Sequence, residues 1–509
     1  MSARVLNLLW VGGGVPNSLE WAVDSHIVAC APDSVAMASA LDTLGKGLLL
    51  CVIVLDGNRE RCKKLLRYLH EARPMMPIGV LISREEHPDA LALLNERVID
   101  RIIPRTTMET ALREHITALA THGELLTDLH GRLHGLNGAN LFVTGGTGFL
   151  GQHFLRYVLR CSGARVDVLT RSRAGEPFDQ RLADLQGAFP GRIHCVEGDI
   201  REPGLGLSAE DAEALRQRVD TIWHLAAITK FEPILRDVIV QTNLEGTRHV
   251  VAFAHTVKNL SCFHHVSTAY VAGNQDDTGS LPETAIPEPA SFKNPYEESK
   301  YHAEQWVVAS GLPVVVYRPS IIMGERVSGL SDGQTIYNVA KMLRLARLTG
   351  KRRASRNPDT AESTSFRVVV APSAAKNLMP VDEILSRMLR IAATNPASGS
   401  FFNLTHAQPT TMTDIIAVIA SLLDISEYEA VDTLDGEVLS AAESILQRIS
   451  SVFKPYMLKS DPTFESAGAS RQAGLNHPHA VDRAQLRFFL QSFFEQHFGL
   501  DFESSPVSR

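Results

Sequence analysis

Apolar and polar positions along the first 122 residues predict short buried strands separated by helices. The strand-like runs cover residues 5–11, 26–30, 48–55, 78–82 and 101–103, and a last helical stretch covers about residues 108–120. Apolar runs of this length, with helical patterns between them, are typical of a doubly wound α/β sheet. We therefore predict a small α/β domain over residues 1–122.

A second and longer series of strand and helix patterns starts at Leu141 and runs to about residue 403. The segment before it, residues 123–138, is rich in His, Gly and Asn and indicates a linker. Within the second domain, residues 139–403, a stretch at 349–373 is first basic and then polar, so we expect a lid-like segment over 341–376. Residues 404–509 show mainly helical patterns, which predict a smaller C-terminal substrate or cap region.

A glycine-rich octapeptide, TGGTGFLG, occupies residues 144–151 between an apolar run and a helical pattern. Gly145, Gly148 and Gly151 have the spacing that permits a tight turn, close approach of backbone to a pyrophosphate, and close packing of helix on strand. Free amides at the helix N-terminus then face the phosphates. The pattern predicts a dinucleotide site, and a glycine-rich turn without a ligand is the alternative.

The end of the next predicted strand bears on which dinucleotide binds. It reads Thr-Arg-Ser-Arg over residues 170–173 and lacks the acid that usually bonds the ribose of NAD. Arg171 and Arg173 are suited to bind a 2′-phosphate, so we predict NADPH. Two solvated arginines are the alternative. Asp199 follows another strand and is either an adenine contact or a plain turn residue.

A second motif, NPYEESKYHAE at residues 294–304, places Tyr296 and Lys300 four residues apart. On a helix the two side chains share one face, and a nearby ammonium lowers the pKa of a phenol from its usual value of about 10. The tyrosine could then exchange a proton near neutral pH. Thr268, at the end of the strand-like stretch HHVSTAYVAG, is expected to hydrogen-bond a substrate carbonyl, and Ser267 competes for that role.

Two further stretches add candidates around this pair. Ala226, in WHLAA, is a small residue past which the nicotinamide half of a cofactor could run. Asn243, in TNLEGT, either orients backbone or a water in a proton relay, or is a polar residue at a helix end. The three histidines in these strands, His224, His264 and His265, are interpreted as packing residues rather than ligands.

The succession TGGTGFLG, HLAA, TNLEGT, VSTAYVAG, YEESK, YRPS and NLMPVDEI resembles an extended short-chain dehydrogenase/reductase. More narrowly, it resembles the branch of thioester reductases and male-sterility-type fatty acyl reductases. That narrower likeness rests on RPSIIMGERVSGLSDG at 318–333, NLMPVDEI at 377–384 and FKPYMLKSDPTFES at 453–466. The resemblance covers about residues 139–470.

The resemblance implies a Rossmann fold and NADPH-dependent reduction of an acyl thioester, from acyl-CoA or an acyl carrier protein, to an aldehyde and in a second step to an alcohol. It implies Thr268, Tyr296 and Lys300 as the catalytic set, with Asn243 as a fourth member. The cofactor would be held by Tyr296 and Lys300 together with Thr144, Gly145, Thr147, Gly148, Phe149, Leu150, Gly151, Arg171, Arg173, Asp199, Ala226 and Pro319. A nucleotide-sugar epimerase or dehydratase, a hydroxysteroid-type dehydrogenase and a non-catalytic scaffold remain alternatives.

The first domain resembles a response-regulator receiver, which has a flavodoxin-like fold. Asp56, Ser83 and Pro104 match three positions of that pattern, but glycines at 12–14 stand where the family has an acid pair. Without those acids a Mg²⁺ site and phosphorylation at Asp56 are doubtful. We interpret the domain as a degenerate receiver used for docking or for homo-oligomer formation.

Composition and charge bear on the binding partners and on the cellular setting. A net charge of −7 argues against wholesale nucleic-acid binding, and six cysteines without metal-ligand spacing indicate a reducing, cytoplasmic setting. The longest apolar run, 48–55, is too short to span a bilayer. Two segments leave alternatives open. One is a basic segment that either binds an anionic carrier or forms a solvated helix face, with cations at 341, 344, 347, 351, 352, 353 and 356. The other is the stretch 486–498, whose five phenylalanines either contact lipid or an acyl chain at a membrane surface or pack as one face of an amphipathic helix.

Overall fold

The structure is a computed structural model. It describes residues 109–172, 177–274, 280–356, 366–425, 427–476 and 480–500 without gaps. Of the first 108 residues it describes 7–11, 26–30, 36–37, 40–41, 49–54, 64–66, 68–69, 72–82, 90, 93–94 and 99–104. All the strands and helices of the structure as described lie within these residues.

Five strands near the N-terminus form one parallel sheet and confirm the predicted strand positions. They are β1 (Asn7–Val11), β2 (His26–Cys30), β3 (Leu49–Val54), β4 (Ile78–Ile82) and β5 (Arg101–Pro104). The strand order is β2-β1-β3-β4-β5, which is the flavodoxin-like order. Asp56, Ser83 and the glycines at 12–14 lie outside the described residues, so the receiver assignment stays a prediction.

The remaining strands build one large sheet and four small ones. They are β6 (Asn140–Thr144), β7 (Arg165–Thr170), β8 (Ile193–Glu197), β9 (Thr221–His224), β10 (Cys262–Val266), β11 (Ser280–Leu281), β12 (Val314–Pro319), β13 (Ile321–Met323), β14 (Phe366–Val369), β15 (Ala375–Lys376), β16 (Leu378–Pro380), β17 (Ser400–Leu404), β18 (Thr410–Thr411), β19 (Tyr428–Val431) and β20 (Thr463–Phe464).

The α-helices that pack on and between these sheets are α1 (Glu109–Arg132), α2 (Phe149–Cys161), α3 (Ala183–Ala188), α4 (Ala209–Arg218), α5 (Arg236–Val240), α6 (Gly246–Ala254), α7 (Pro295–Val308), α8 (Ile336–Arg356), α9 (Val381–Ala393), α10 (Met412–Leu422), α11 (Ala441–Ser450), α12 (Lys454–Leu458), α13 (Ala467–Ala473) and α14 (Arg483–Phe498).

The large sheet is the predicted Rossmann sheet. Its seven strands run parallel in the order β17-β12-β10-β9-β6-β7-β8. Residues of β9 and β12 are buried throughout, as expected for strands with helices on both faces. The chain order reverses between β6 and β9, and in such sheets ligands bind at the carboxyl ends of the strands on either side of that point.

Two predicted irregular segments are helical instead. Helix α1 continues to Arg132 through the predicted linker 123–138, and a 3₁₀ turn follows at Leu133–Leu136. Leu126, Leu129 and Leu133 are fully buried. The burial of these leucines outweighs the unfavourable helix propensity of the glycines, which is about 1 kcal/mol for each glycine.

The predicted lid-like segment at 341–376 is helical in its first part, and its role as a lid stays a prediction. Helix α8 covers its first part up to Arg356, and strand β14 starts at Phe366. Met342, Leu343 and Ala346 are buried in a core cluster of the C-terminal region. Burial of this apolar face stabilises a helix in a segment whose basic and polar residues had predicted a lid. Residues 357–365 lie outside the described part.

The phenylalanine-rich stretch forms helix α14 and packs inward. Phe489, Phe493 and Phe494 are fully buried, which confirms the amphipathic-helix alternative. Among the helices described here, none has both the length and the apolar character needed to cross a bilayer.

Four cysteines have described side chains, and none of them forms a disulfide bond: Cys51, Cys161, Cys195 and Cys262. Burial raises the pKa of the Cys161 and Cys262 thiols to about 12 and that of Cys195 to about 11. Within the described residues no cluster of His, Cys, Asp or Glu could hold a metal ion.

Candidate active site

The glycine loop connects β6 to α2, and its geometry requires glycine. Gly145 has a φ of +78°, in the left-handed region. A Cβ on Gly145 would lie 2.5 Å from the backbone nitrogen of Ala226, and a Cβ on Gly151 would collide with the carbonyl oxygen of Gly145. Gly148 is the N-cap residue of α2. The loop is therefore a tight backbone cradle at the start of a 13-residue helix, which fits a pyrophosphate.

One cavity of about 350 Å³ brings most of the predicted site residues together. Predicted residues that line it are Gly145, Gly148, Phe149, Leu150, Gly151, Thr268, Tyr296, Lys300 and Pro319. Other predicted residues lie just behind its wall. Ala226 packs its backbone against Gly145, the Thr144 hydroxyl bonds His224 at 2.7 Å, and the Thr147 hydroxyl accepts a hydrogen bond from Arg181 at 3.2 Å.

Tyr296 lies in the first turn of α7, where Asn294 caps the helix and Pro295 occupies the first position. Thr268 follows β10, and its hydroxyl accepts a hydrogen bond from the backbone nitrogen of Tyr270 at 3.3 Å. Lys300, one turn beyond Tyr296, donates to the carbonyl oxygen of Val266 at 2.6 Å. The two elements thus place a hydroxyl, a phenol and an ammonium at one side of the cavity.

The expected lowering of the tyrosine pKa by the lysine is not found. Burial raises the pKa of Tyr296 to about 12, although its hydrogen bond with Thr268 lowers it. Burial also lowers the pKa of Lys300 to about 8, against the opposing effect of Glu304. Desolvation is therefore the largest effect on the pKa of both groups. Tyr296 is a protonated phenol at neutral pH, which suits a proton donor.

The Lys300 pKa gives a pH prediction. Lys300 carries its proton below about pH 8 and loses it above, so kcat/KM should fall on the alkaline side with an apparent pKa of about 8. This ratio reports the groups of the free enzyme. Lys300→Arg, which stays charged, should remove that limb from a pH–rate profile measured between pH 6 and 10. An unchanged limb in Lys300→Arg would assign it to another group.

Asn243 does not line the cavity. It lies in a π-helical turn, Gln241–Glu245, and its Oδ1 accepts from the nitrogen of Ile228 at 2.7 Å. Its Nδ2 donates to the oxygen of Ile228 and to Ser299 Oγ, each at 3.0 Å. Asn243 therefore orients the backbone of the cavity-wall segment around Ile228 and ties it to helix α7, and its role as a fourth catalytic member stays a prediction.

The three strand histidines are packing residues, as interpreted from the sequence. His264 stacks on Trp223 with ring centroids 3.9 Å apart, and His224 bonds the hydroxyls of Thr144 and Thr247. Burial lowers the pKa of His224 and His264 to about 3. They are neutral at physiological pH.

The end of β7 carries a cluster of cations around one acid. Asp199 Oδ2 lies 3.4 Å from Arg171 and 2.6 Å from Arg201. The Asp199 carboxylate is therefore paired with these two arginines, which is the behaviour expected of a turn residue. Arg181 donates to the backbone oxygen of Arg171 at 3.0 Å, and no sequence motif indicated it. Arg173 lies outside the described residues.

A further part of the cavity wall consists of residues that were not predicted individually, although several lie in two stretches that carry the resemblance, 318–333 and 453–466. It is lined by Phe231, Tyr270, Ile321, Asp332, Gln334, Thr335, Ile336, Val339, Lys376, Met412, Phe453, Tyr456 and Met457. Phe453, Tyr456 and Met457 belong to the FKPYM stretch, which was the available signal. Tyr456 donates to Glu297 Oε1 at 2.5 Å and stacks on Phe231 with ring centroids 5.3 Å apart. The cavity is thus lined in part by residues about 160 positions beyond Tyr296.

The described cations of α8 have partners within the chain. Lys341 donates to the oxygen of Gly333, Arg344 lies over the Phe498 ring at 4.1 Å, and Arg347 donates to Asp424 at 3.1 Å. These contacts favour the helix-face interpretation over a carrier site for these three residues. The side chains at 351–356 lie outside the described part.

Comparisons with known proteins agree with this architecture. Residues 143–388 match the family model described as Male sterility protein. Fatty acyl-CoA reductase 1 of Homo sapiens is 36% identical over 171 residues, which is 31% of this chain and 32% of the relative. Fatty acyl-CoA reductase wat of Drosophila melanogaster is 27% identical over 236 residues, which is 38% of this chain and 45% of the relative. The matches thus span less than half the length of these curated relatives.

Solved structures share the fold. The terminal R domain from the myxalamid PKS-NRPS biosynthetic pathway superposes with a TM-score of 0.57 at 22% identity, covering 71% of this chain and 92% of that domain. A dTDP-glucose 4,6-dehydratase from Streptomyces venezuelae, with NAD and TYD bound, gives a TM-score of 0.50 at 20% identity, covering 71% and 98%. Residues 143–388 thus match the Male sterility protein family model and adopt a Rossmann-like parallel sheet, and the relatives that match part of the chain include fatty acyl-CoA reductases.

Proposed function

We propose that the protein is an NADPH-dependent reductase of fatty acyl thioesters, carried by coenzyme A or by a carrier protein. One observation carries the proposal. Thr268, Tyr296 and Lys300 line the same cavity as the glycine cradle and an apolar chamber formed by Ile321, Ile336, Val339, Met412 and Met457. A cofactor loop, a proton donor and room for an alkyl chain are what this reduction needs.

The catalytic residues act on the thioester carbonyl. When bound, NADPH supplies the hydride. The hydroxyls of Thr268 and Tyr296 hold the carbonyl oxygen, and hydrogen bonds of this kind can stabilise a developing oxyanion by several kcal/mol. Tyr296 gives its phenolic proton to that oxygen, while Lys300 keeps a positive charge nearby. Loss of the thiol from the hemithioacetal then leaves an aldehyde.

The apolar chamber supports a fatty acyl substrate. Its residues come from β13, α8, α10 and α12; four of them belong to the buried C-terminal core cluster, and the fifth, Ile321, packs against it. Burying an alkyl chain in such a site is favourable by about 0.8 kcal/mol for each methylene. Methionine side chains adapt to chains of different shape. A nucleotide-sugar substrate would leave these groups without apolar partners.

The cofactor preference rests on the cluster around Arg171. Arg171→Ala is expected to raise the KM for NADPH about tenfold and the KM for NADH less than twofold, because a charge-assisted bond to the 2′-phosphate is lost. Initial rates with each cofactor measure this. The control is Arg165→Ala, at the opposite end of β7. Equal effects on both cofactors would show that Arg171 does not bind the 2′-phosphate.

The activity itself is tested with the purified full chain. NADPH oxidation is followed by absorbance with acyl-CoA of several chain lengths and with the matching acyl carrier proteins, and the products are identified by mass spectrometry. We expect thioester-dependent oxidation with at least one carrier. No oxidation with any of these substrates would contradict the proposal.

A further inference from the structure

Helix α2 starts at the glycine cradle, and its other half is held by the first α/β unit. Arg156 Nη2 lies 2.6 Å from Asp100 Oδ1, and Arg160 Nη1 lies 3.0 Å from the same oxygen. Arg160 also donates to the backbone oxygens of Pro74 and Met76 at 2.7 and 3.2 Å. The helix that would hold the pyrophosphate is thus bound at its far end to residues between β3 and β5.

Asp100 is the centre of this junction. It is completely buried, its Oδ2 accepts from the nitrogen of Ile78 at 2.8 Å, and His122 lies 3.4 Å from its Oδ1. Although burial raises the pKa of Asp100, Arg160 and Arg156 hold it well below the usual range. Removing one partner of a buried ion pair leaves an uncompensated charge, which makes such a junction sensitive to small changes.

A second anchor is the segment 325–330, which we call the bridging segment. Arg101 Nη1 donates to the oxygen of Val327 at 2.7 Å. Val327 packs with Leu8 and Trp10 on one face of the first sheet, and Leu330 packs in the core cluster on the other face. The reductase chain therefore crosses the edge of the first sheet and buries side chains on both sides of it.

Each anchor is connected to one wall of the cavity: helix α2 to the dinucleotide wall and the bridging segment to the substrate wall. Helix α2 and the bridging segment contact each other through Tyr157, which donates to Glu325 Oε1 at 3.3 Å. Two residues beyond Leu330 the chain reaches Asp332, and Asp332, Gln334 and Thr335 line the substrate side. A displacement of the first unit would move the dinucleotide wall and the substrate wall together.

We propose that the first α/β unit is a built-in clamp of the reductase site, with Asp100 positioning helix α2 and Arg101 positioning the bridging segment. The unit is then not a detachable docking module. The dinucleotide part of this proposal rests on the Rossmann site, and the substrate part rests on the proposed function.

The first test uses the full chain carrying Asp100→Asn, a change of charge with little change of size. We expect the Kd for NADPH, measured by fluorescence titration, to rise about tenfold, because a small displacement of binding groups has effects of this order. Arg156→Lys is a milder variant that keeps the charge and should raise the Kd less. Asp424→Asn, which removes a surface partner of Arg347, is the control and should leave the Kd unchanged.

The second test distinguishes an effect on substrate binding from an effect on NADPH binding. Arg101→Met keeps the apolar stem but removes the bond to Val327, so it should raise the KM for the acyl thioester severalfold and leave the NADPH Kd within about twofold. Melting temperatures are measured for every variant. If Asp100→Asn and Arg156→Lys lower the melting temperature but leave the NADPH Kd unchanged, the junction is only structural and the proposal is wrong. A wild-type chain that binds NADPH but reduces no thioester would contradict the proposed function without affecting the result for Asp100.

Discussion

Replacing Tyr296 by phenylalanine is expected to lower kcat for thioester-dependent NADPH oxidation about a thousandfold, within the range for loss of a positioned proton donor. The phenylalanine ring fits the same buried site, so only the hydroxyl and its bond with Thr268 are lost. The aldehyde product should fall in parallel. Stopped-flow or steady-state absorbance at saturating substrate measures the change.

The matched control for this variant is Tyr301→Phe. Tyr301 lies on the same helix α7, is buried, and bonds only weakly to the oxygen of Ile286 at 3.5 Å. Its loss should change kcat less than twofold. A Tyr296→Phe enzyme that keeps most of its kcat would show that another group supplies the proton, and Tyr456 beside Glu297 would be examined first.

Gly151→Ala is expected to weaken NADPH binding about a hundredfold, because the cradle must open to accommodate the new methyl group. The added Cβ would collide with the carbonyl oxygen of Gly145, which is backbone and cannot turn aside as a flexible side chain would. The backbone amides of the displaced loop would then no longer face the phosphates of the cofactor. A fluorescence titration with NADPH measures the loss without requiring turnover.

Gly187→Ala is the control for that substitution. Gly187 lies in helix α3, and a Cβ there would meet nothing within 4 Å. Alanine should leave NADPH binding unchanged and could stabilise the helix by about 0.5–1 kcal/mol. If Gly151→Ala bound NADPH as well as Gly187→Ala, the loop at 144–151 would not be the pyrophosphate site.

The parts of the site that the sequence predicted depend on local spacing. The turn at Gly145 and the shared face of Tyr296 and Lys300 follow from the order of neighbouring residues. The strands of both sheets were also predictable, because each is a short apolar run bounded by polar residues. Parallel strands then bring their carboxyl ends to one edge, where the loop and Thr268 meet.

The parts that were missed depend on distant packing. The ammonium of Lys300 bonds the backbone of Val266, so its effect on the phenol could not be read from the four-residue spacing. Asn243 lies in a π-helical turn that no motif signals, and it bonds the backbone of Ile228. Helix α1 passes through a glycine-containing segment because its leucines are buried against α2 and α9.

The shielded thiols have a consequence for counting reaction products. Cys161, Cys195 and Cys262 stay protonated at neutral pH because burial raises their pKa, and a protonated thiol reacts slowly with disulfide reagents. A chromogenic disulfide would therefore report thiol released from the substrate over little background from these three residues. The stoichiometry then gives the oxidation level of the product: one NADPH for each thiol means an aldehyde, and two mean an alcohol.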